Sequence, residues 1–100
     1  MKTILISGGS GKFSKAIIKT NTKYKILAPN KKQMNILSQT SISNFISRNK
    51  IDYFIHTAAF STPMALHKVE EKRSIETNII GSANVALCCL KKNIKLIYIS

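Results

Sequence analysis

The sequence predicts a protein of the α/β class, with one doubly wound parallel sheet and helices on its two faces. Two observations support this fold class. Residues 3–14 run from an apolar strand through a glycine-rich turn into a helix, and strand-like and helix-like segments then alternate without a linker or an internal repeat. Because strands separated by helices are joined into a parallel sheet by right-handed crossovers, we expect the strand order 3-2-1-4-5, truncated after the fifth strand.

The first unit is a strand, turn and helix at residues 3–14. Ile4, Leu5 and Ile6 form a continuous apolar run, which is typical of a buried parallel strand. Gly8 and Gly11 let the backbone turn tightly and approach a ligand closely. The helix that follows offers unpaired N–H groups to a pyrophosphate. This arrangement predicts the first unit of a Rossmann-type dinucleotide-binding fold.

Two other interpretations of this segment follow from its residues. The third glycine position of the pattern holds Ser14, a small residue that still allows a helix to pack closely on a strand, so an ordinary strand–turn–helix without a ligand stays open. A phosphate-binding P-loop does not fit. Ile6 and Phe13 stand where that motif needs a glycine and a serine or threonine.

The later elements are predicted from periodicity and turn residues. They are a helix starting near Lys12, a strand at 24–28, a short third strand or extended turn at 34–37, a helix capped by Ser41 or Ser43, a strand at 53–57, a helix from about 69 to 92 and a strand at 96–99. The expected apolar helix faces are Phe13, Ala16 and Ile17 in the first helix, Ile42, Phe45 and Ile46 in the second, and a stripe of Ile75, Ile79, Ala83, Ala86, Leu87 and Leu90 in the third. The switch point of this sheet lies between the first and fourth strands, where ligands bind.

Length and composition indicate one globular domain over residues 1–100, with 44% hydrophobic residues. No apolar run approaches the roughly 20 residues that cross a bilayer, and no signal-peptide pattern precedes the first strand. Cys88 and Cys89 are expected to be free thiols in a reducing compartment, and no metal-ligand spacing is present. His56 is expected to fill a structural position, and His67 has no partner that indicates catalysis. We therefore expect a cytoplasmic protein without a membrane partner or a metal.

The charge balance is strongly basic, with 16 Lys and Arg against 4 Asp and Glu and a formal net charge of +12. Such a charge suits a polyanionic partner. The lysines are scattered, however, and no arginine-rich stripe interleaved with aromatic residues is present. A basic nucleic-acid-associated domain is therefore kept as a lesser alternative.

Six short motifs follow one another along almost the whole chain. They are the glycine turn at 7–14, Asn35-Ile36, Asp52, the run His56-Thr57-Ala58-Ala59, Asn78 with Gly81, and Tyr98-Ile99-Ser100. In this order they resemble the amino-terminal part of an extended short-chain dehydrogenase/reductase, and most closely the dTDP-4-dehydrorhamnose reductase group of sugar-nucleotide reductases.

The resemblance implies a cofactor site, residue by residue. The backbone around Gly11 would hold the pyrophosphate, Asn35 and Ile36 would flank the adenine, and residues 58–60 would line the path to the nicotinamide. The family commonly has Asp at position 35, so Asn35 keeps an amide and loses the charge. Asn78 would have a structural or proton-relay role, or would cap a backbone kink. The implied cofactor-binding residues are Gly8, Ser10, Gly11, Lys12, Phe13, Asn30, Lys31, Asn35, Ile36, Ala58, Ala59, Phe60 and Asn78.

The residues after the second strand bear on the choice of cofactor. An acid there would bind a ribose 2′-hydroxyl and indicate NAD, but residues 28–32 contain none. Lys31 and Lys32 could instead balance a 2′-phosphate, which favours NADP(H) and leaves NAD as an alternative. A solvated lysine pair explains the same residues equally well.

The catalytic residues that the resemblance implies are absent from this sequence. The family uses a tyrosine, a lysine four residues later, and a serine or threonine. Tyr24 is followed by Ala28 and Tyr53 by Thr57 at that spacing. We therefore expect the inactive, cofactor-binding amino-terminal portion of a reductase whose full-length form acts on a sugar nucleotide. A homodimer stays open, and the alternative function is a non-catalytic Rossmann-like binding or regulatory module.

Overall fold

The computed structural model describes residues 1–7, 12–20, 23–57 and 67–99, and only the backbone at 12, 13 and 67–78. The elements in these ranges are β1 (Thr3–Ser7), α1 (Lys12–Thr20), β2 (Lys25–Leu27), α2 (Gln39–Arg48), β3 (Tyr53–Thr57), α3 (His67–Lys92) and β4 (Lys95–Ile99). Strands and helices alternate, as the sequence predicts.

The four strands of this part of the chain form one sheet in the order β2-β1-β3-β4, and all three pairings are parallel. The chain steps from β1 to β2 in one direction and from β2 to β3 in the other. Right-handed crossovers therefore place α1 on one face and α2 with α3 on the opposite face. The doubly wound class is confirmed, and its switch point lies between β1 and β3.

Residues 34–37 form turns, which is the second of the two predicted possibilities, so the strand that the order 3-2-1-4-5 assumes at this position is wrong. The N–H of Asn35 donates to Ser41 Oγ at 2.9 Å, and Asn35 Oδ1 accepts from the N–H of Leu37 at 3.0 Å. Asparagine side chains replace ladder hydrogen bonds with local ones in this way. Met34 is nevertheless buried in the core. The apolar pattern that suggested a strand reflects a turn that buries one side chain, and the predicted order 3-2-1-4-5 loses its outer strand.

The hydrophobic core lies on the face that α2 and α3 cover. Leu5, Phe54 and Leu96 are register partners in one row across β1, β3 and β4. The helices pack on this row with Ile42, Ile46, Val85, Cys88 and Cys89. Phe45 is half-buried against the same cluster, so the predicted face of α2 is confirmed. Both cysteines are free and buried, and burial raises the pKa of the Cys89 thiol to about 11.

The helix ends correct one prediction and confirm another. The cap of α2 is Ser38, whose Oγ accepts from the N–H of Ser41 at 3.1 Å, so neither Ser41 nor Ser43 is the cap. Asn93 ends α3 with a φ of 56°, the left-handed conformation that asparagine tolerates at a helix C-terminus.

The buried faces of the two other helices differ from the prediction. In α1, Ser14 is fully buried, whereas Ala16 is exposed and Ile17 is half-buried. In α3, the described members of the predicted stripe face away from the core: Ile79 is 65% and Leu90 is 78% exposed, and Ala83, Ala86 and Leu87 are exposed as well. The side chain of Ile75, the remaining member, lies outside the described residues. The core face of α3 is formed by Gly81, Asn84, Val85, Cys88 and Cys89.

Candidate functional site at the switch point

The carboxyl ends of β1 and β3 are tied together where the two strands lie side by side. Thr57 Oγ1, at the end of β3, donates to the carbonyl of Ser7, at the end of β1, over 2.8 Å. The glycine turn leaves β1 immediately after Ser7, and the run 58–60 leaves β3 immediately after Thr57. Two segments that the sequence assigns to a cofactor therefore start from neighbouring, hydrogen-bonded residues.

A buried histidine links three elements just below this edge. His56 Nδ1 lies 2.5 Å from Ser7 Oγ on β1, and His56 Nε2 lies 2.9 Å from Ser82 Oγ on α3. Both serine hydroxyls can donate or accept, so either neutral tautomer of the imidazole satisfies the pair. Only 2% of His56 is exposed, and this burial lowers the pKa of its imidazole. The site therefore holds a neutral histidine near pH 7.

The third neighbour of this histidine is Tyr98 on β4. The two rings lie 5.6 Å apart at 50°, and Tyr98 is half exposed. Ser7, His56 and Tyr98 are register partners across β1, β3 and β4. Each lies two residues after a member of the row Leu5, Phe54 and Leu96, and alternate side chains of a strand share a face, so both rows lie on the same face of the sheet. The hydrophobic core thus gives way to a polar layer beneath the carboxyl edge.

Ser14 lies in the first turn of α1, at the third glycine position of the sequence pattern. It is fully buried, and its Oγ has no hydrogen-bond partner. Full burial confirms that a serine is small enough for the close helix packing that this position requires.

The predicted adenine-side residues lie against α3. A Cβ at Gly81 would come within 2.6 Å of Ile36 Cδ1, so only glycine leaves room for Ile36 as it stands. Asn84 Nδ2 donates to the carbonyl of Ile36 at 2.9 Å. Sequence reasoning identified the motif position of Gly81 but missed Asn84, which no periodicity distinguishes from a surface asparagine.

The two lysines after β2 lie in one turn. Asn30 closes the turn that carries them: its Oδ1 accepts from the N–H of Gln33, and its own N–H donates to Gln33 Oε1, both at 2.9 Å. Lys31 and Lys32 are exposed. Lys32 lines an open groove of about 480 Å³ with Gln33, Phe45, Arg48 and Asn49. The last two residues end α2 and precede the amino end of β3, so this groove lies towards the opposite edge of the sheet.

The remaining predicted site residues fall outside what can be placed. Gly8, Ser10, Gly11, Ala58, Ala59 and Phe60 lie outside the described residues. Lys12, Phe13 and Asn78 lie on α1 and α3, where only the backbone is described. Within the described ranges, no group of His, Cys, Asp and Glu could hold a metal ion, and no helix is long and apolar enough to cross a membrane.

Asp52, another motif residue, lies at the far edge. Its Oδ2 accepts from the N–H of Thr3 at 2.8 Å, and its N–H donates to the carbonyl of Thr3 at 3.0 Å. Asp52 therefore closes the amino ends of β1 and β3 and takes no part in the candidate site.

A family model described as the RmlD substrate binding domain matches residues 1–100. The chain therefore belongs to this family. No curated protein matches it significantly.

Several solved structures are similar to this chain, among them reductases and synthetases whose names are those of sugar-nucleotide enzymes. A dTDP-4-dehydrorhamnose reductase from Bacillus anthracis in complex with NADP is 25% identical, with a TM-score of 0.83 over 100% of this chain and 36% of that one. A GDP-L-fucose synthetase from Naegleria fowleri bound to NADP is 26% identical, with a TM-score of 0.76 over 97% of this chain and 33% of that one. A dTDP-4-dehydrorhamnose reductase from Yersinia enterocolitica, at 22% identity and a TM-score of 0.75 over 98% of this chain and 34% of that one, shares the fold. The chain spans about one third of the length of these proteins.

Proposed function

We propose that residues 1–100 form the NADP(H)-binding half of a sugar-nucleotide reductase, an enzyme that reduces a 4-keto-6-deoxy sugar nucleotide by hydride transfer. The observation that carries this proposal is the switch point between β1 and β3. Ligands of doubly wound sheets bind outside the carboxyl ends of the strands at this point. Membership of the family and the NADP complexes of two similar proteins support the same choice of ligand.

The residues at this edge fit a dinucleotide. The amino end of α1 follows β1 closely, and the first turn of a helix presents unpaired N–H groups that suit a pyrophosphate. The Asn35–Ile36 segment is held against α3 by Asn84, where it would flank the adenine. When bound, NADPH supplies the hydride, and the part of these residues is to bind and orient it.

The lysines after β2 support NADP(H) over NAD(H). Neither Lys31 nor Lys32 has an acid beside it in sequence, and Lys31 does not line the groove towards α2. We therefore assign the 2′-phosphate to Lys31 first, with Lys32 as a second cation in the same turn. A charge-assisted hydrogen bond to phosphate contributes about 1.5–3 kcal/mol.

Residues 1–100 contain no tyrosine followed four positions later by a lysine. In this class of reductase the tyrosine exchanges a proton with the carbonyl oxygen, and the lysine lowers the pKa of the tyrosine. The proposal for these residues is accordingly cofactor binding, and the sugar nucleotide is the proposed substrate of the complete enzyme.

Calorimetric titration of the 100-residue chain with NADPH tests the proposal. We expect saturable binding, and we expect Gly11→Val to weaken it at least tenfold because a branched side chain would stand where the pyrophosphate approaches. Leu90→Val, a change on the exposed face of α3, serves as the control and should bind like the wild type.

Three results would contradict the proposal. The first is a wild-type chain that binds no NADPH, and the second is equal affinity of the wild type and Gly11→Val. The third is tight binding of a single-stranded oligonucleotide in place of NADPH, which would favour the nucleic-acid alternative.

A further inference from the structure

We infer that His56 is a positioning residue for the cofactor, acting through its hydrogen bond to Ser7. The inference rests on the proposed function and goes beyond it. It assigns a role in ligand binding to a buried side chain that lies beneath the binding edge and that the sequence predicts only as a structural residue.

Ser7, the last residue of β1, forms two hydrogen bonds with residues of β3. Its carbonyl accepts from Thr57 Oγ1, and its side chain meets His56 Nδ1. Ser7 is 3% exposed. The residue from which the glycine turn departs is therefore held at its carbonyl and at its side chain. Both hydrogen-bond partners, Thr57 and His56, lie on β3.

The imidazole of His56 also contacts two other elements, α3 and β4. Ser82 on α3 hydrogen-bonds to Nε2, and the Tyr98 ring lies against the imidazole from β4. A ring held from both sides cannot rotate without breaking a buried hydrogen bond, which costs about 1–3 kcal/mol. The position of α3 is thereby transmitted to the end of β1.

The position of Ser7 bears on how tightly a ligand can bind. Ser7 ends β1 at the switch point, and ligands of doubly wound sheets bind just outside the carboxyl ends of the strands there. Binding sites gain affinity when groups are held in place before the ligand arrives. The Ser7–His56 bond supplies this fixation at the pyrophosphate end of the site.

Two amide substitutions separate the two hydrogen bonds of the imidazole. An asparagine places its amide atoms close to the position of Nδ1, and a glutamine places its amide atoms close to the position of Nε2. His56→Asn therefore keeps the bond to Ser7 and loses the bond to Ser82, whereas His56→Gln does the reverse. We expect His56→Gln to weaken NADPH binding about five- to tenfold and His56→Asn to stay within twofold of the wild type.

Ser7→Ala and the double variant Ser7→Ala/His56→Gln complete a double-mutant cycle. If the two residues act through one bond, the double variant binds NADPH no more weakly than the weaker single variant. Val85→Ala is the matched control. It opens a cavity in the hydrophobic core at a residue that is 0% exposed, so it should lower the unfolding midpoint in urea without changing the affinity of the folded chain.

Equal affinities of His56→Asn and His56→Gln, or additive losses in the cycle, would overturn the positioning role while the wild type still binds NADPH. A wild type that does not bind NADPH would overturn the proposed function and this inference with it. If His56→Gln does not fold, Ser7→Ala decides alone, because it removes one oxygen, and unchanged binding by it refutes the inference.

Discussion

Gly81 on α3 leaves its side-chain position to Ile36 in the turn after β2, and substitution at Gly81 tests this close approach directly. In an exposed helix interior, Gly→Ala stabilises a protein by about 1 kcal/mol through helix propensity alone. Here the new Cβ would lie 2.6 Å from Ile36 Cδ1 and 3.0 Å from Ile36 Cγ1. Both distances are shorter than the roughly 3.5–4.0 Å of an optimal carbon–carbon contact. Ile36 must therefore move.

Overpacking of this kind costs about 1–3 kcal/mol. Set against the gain in helix propensity, Gly81→Ala should lower the free energy of unfolding by roughly 0–2 kcal/mol. The movement also bears on Asn84, which donates to the carbonyl of Ile36. We expect the turn at 34–37 to shift with it.

Ile36→Val removes Cδ1, the atom in the closest contact. In this background Gly81→Ala meets only the carbon at 3.0 Å, and its cost should fall by about 1 kcal/mol relative to the wild-type background. Urea unfolding followed by circular dichroism gives the four free energies of the cycle. A Gly81→Ala variant that is about 1 kcal/mol more stable than the wild type, with no coupling to Ile36→Val, would refute the close approach of the turn to α3.

Three further predictions follow from the site. Burial lowers the pKa of His56 below its ordinary 6.5, so as the pH falls the unfolded chain binds a proton at His56 before the folded chain does. The free energy of unfolding should therefore be highest above about pH 6.5 and decrease below it. Tyr98 is the titratable group that faces the ring in the described part of the chain, and the unfolding midpoints of His56→Gln should not show this decrease with pH. Lys31→Ala/Lys32→Ala should weaken NADPH binding about tenfold while NADH binding stays within twofold, and an unchanged ratio of the two affinities would assign both lysines to solvent. The 100-residue chain should show no turnover with NADPH and a 4-keto-6-deoxy sugar nucleotide, whereas a longer chain that includes a Tyr-x-x-x-Lys segment should; turnover by residues 1–100 alone would require a proton donor that the sequence motifs do not reveal.

The strands of the sheet could be predicted because each consists of a short apolar run bounded by turn residues. The relative order of the four observed strands could be predicted as well, since the crossovers of a doubly wound sheet are right-handed and reverse direction at one switch point. At 34–37 the sequence leaves both a strand and an extended turn open, because Met34 supplies the apolar signal of a strand while Asn35 forms the hydrogen bonds of a turn. Side-chain hydrogen bonds of this kind leave no trace in hydrophobic periodicity.

The candidate site was predictable only in its outline. Glycines, alanines and the family motifs indicate where a dinucleotide would lie, and they identify residues by position. The hydrogen bonds that hold the site together come from Ser7, Thr57, Ser82 and Asn84. Serine, threonine and asparagine occur at many surface positions, so their role depends on which residues the fold brings near them.

The buried face of α3 differs from the predicted one for a related physical reason. Large apolar residues at 79, 87 and 90 give the stronger periodic signal, yet the core side of the helix carries Gly81, Val85, Cys88 and Cys89. A helix that lies close to a sheet and to a neighbouring turn needs small residues on the packed side, because bulky ones would hold it away. Gly81 shows this most directly, since Ile36 occupies the space that a side chain there would need. In the described part of α3, close packing therefore outweighs hydrophobic size in deciding which side is buried, and the large apolar residues Ile79, Leu87 and Leu90 stay exposed.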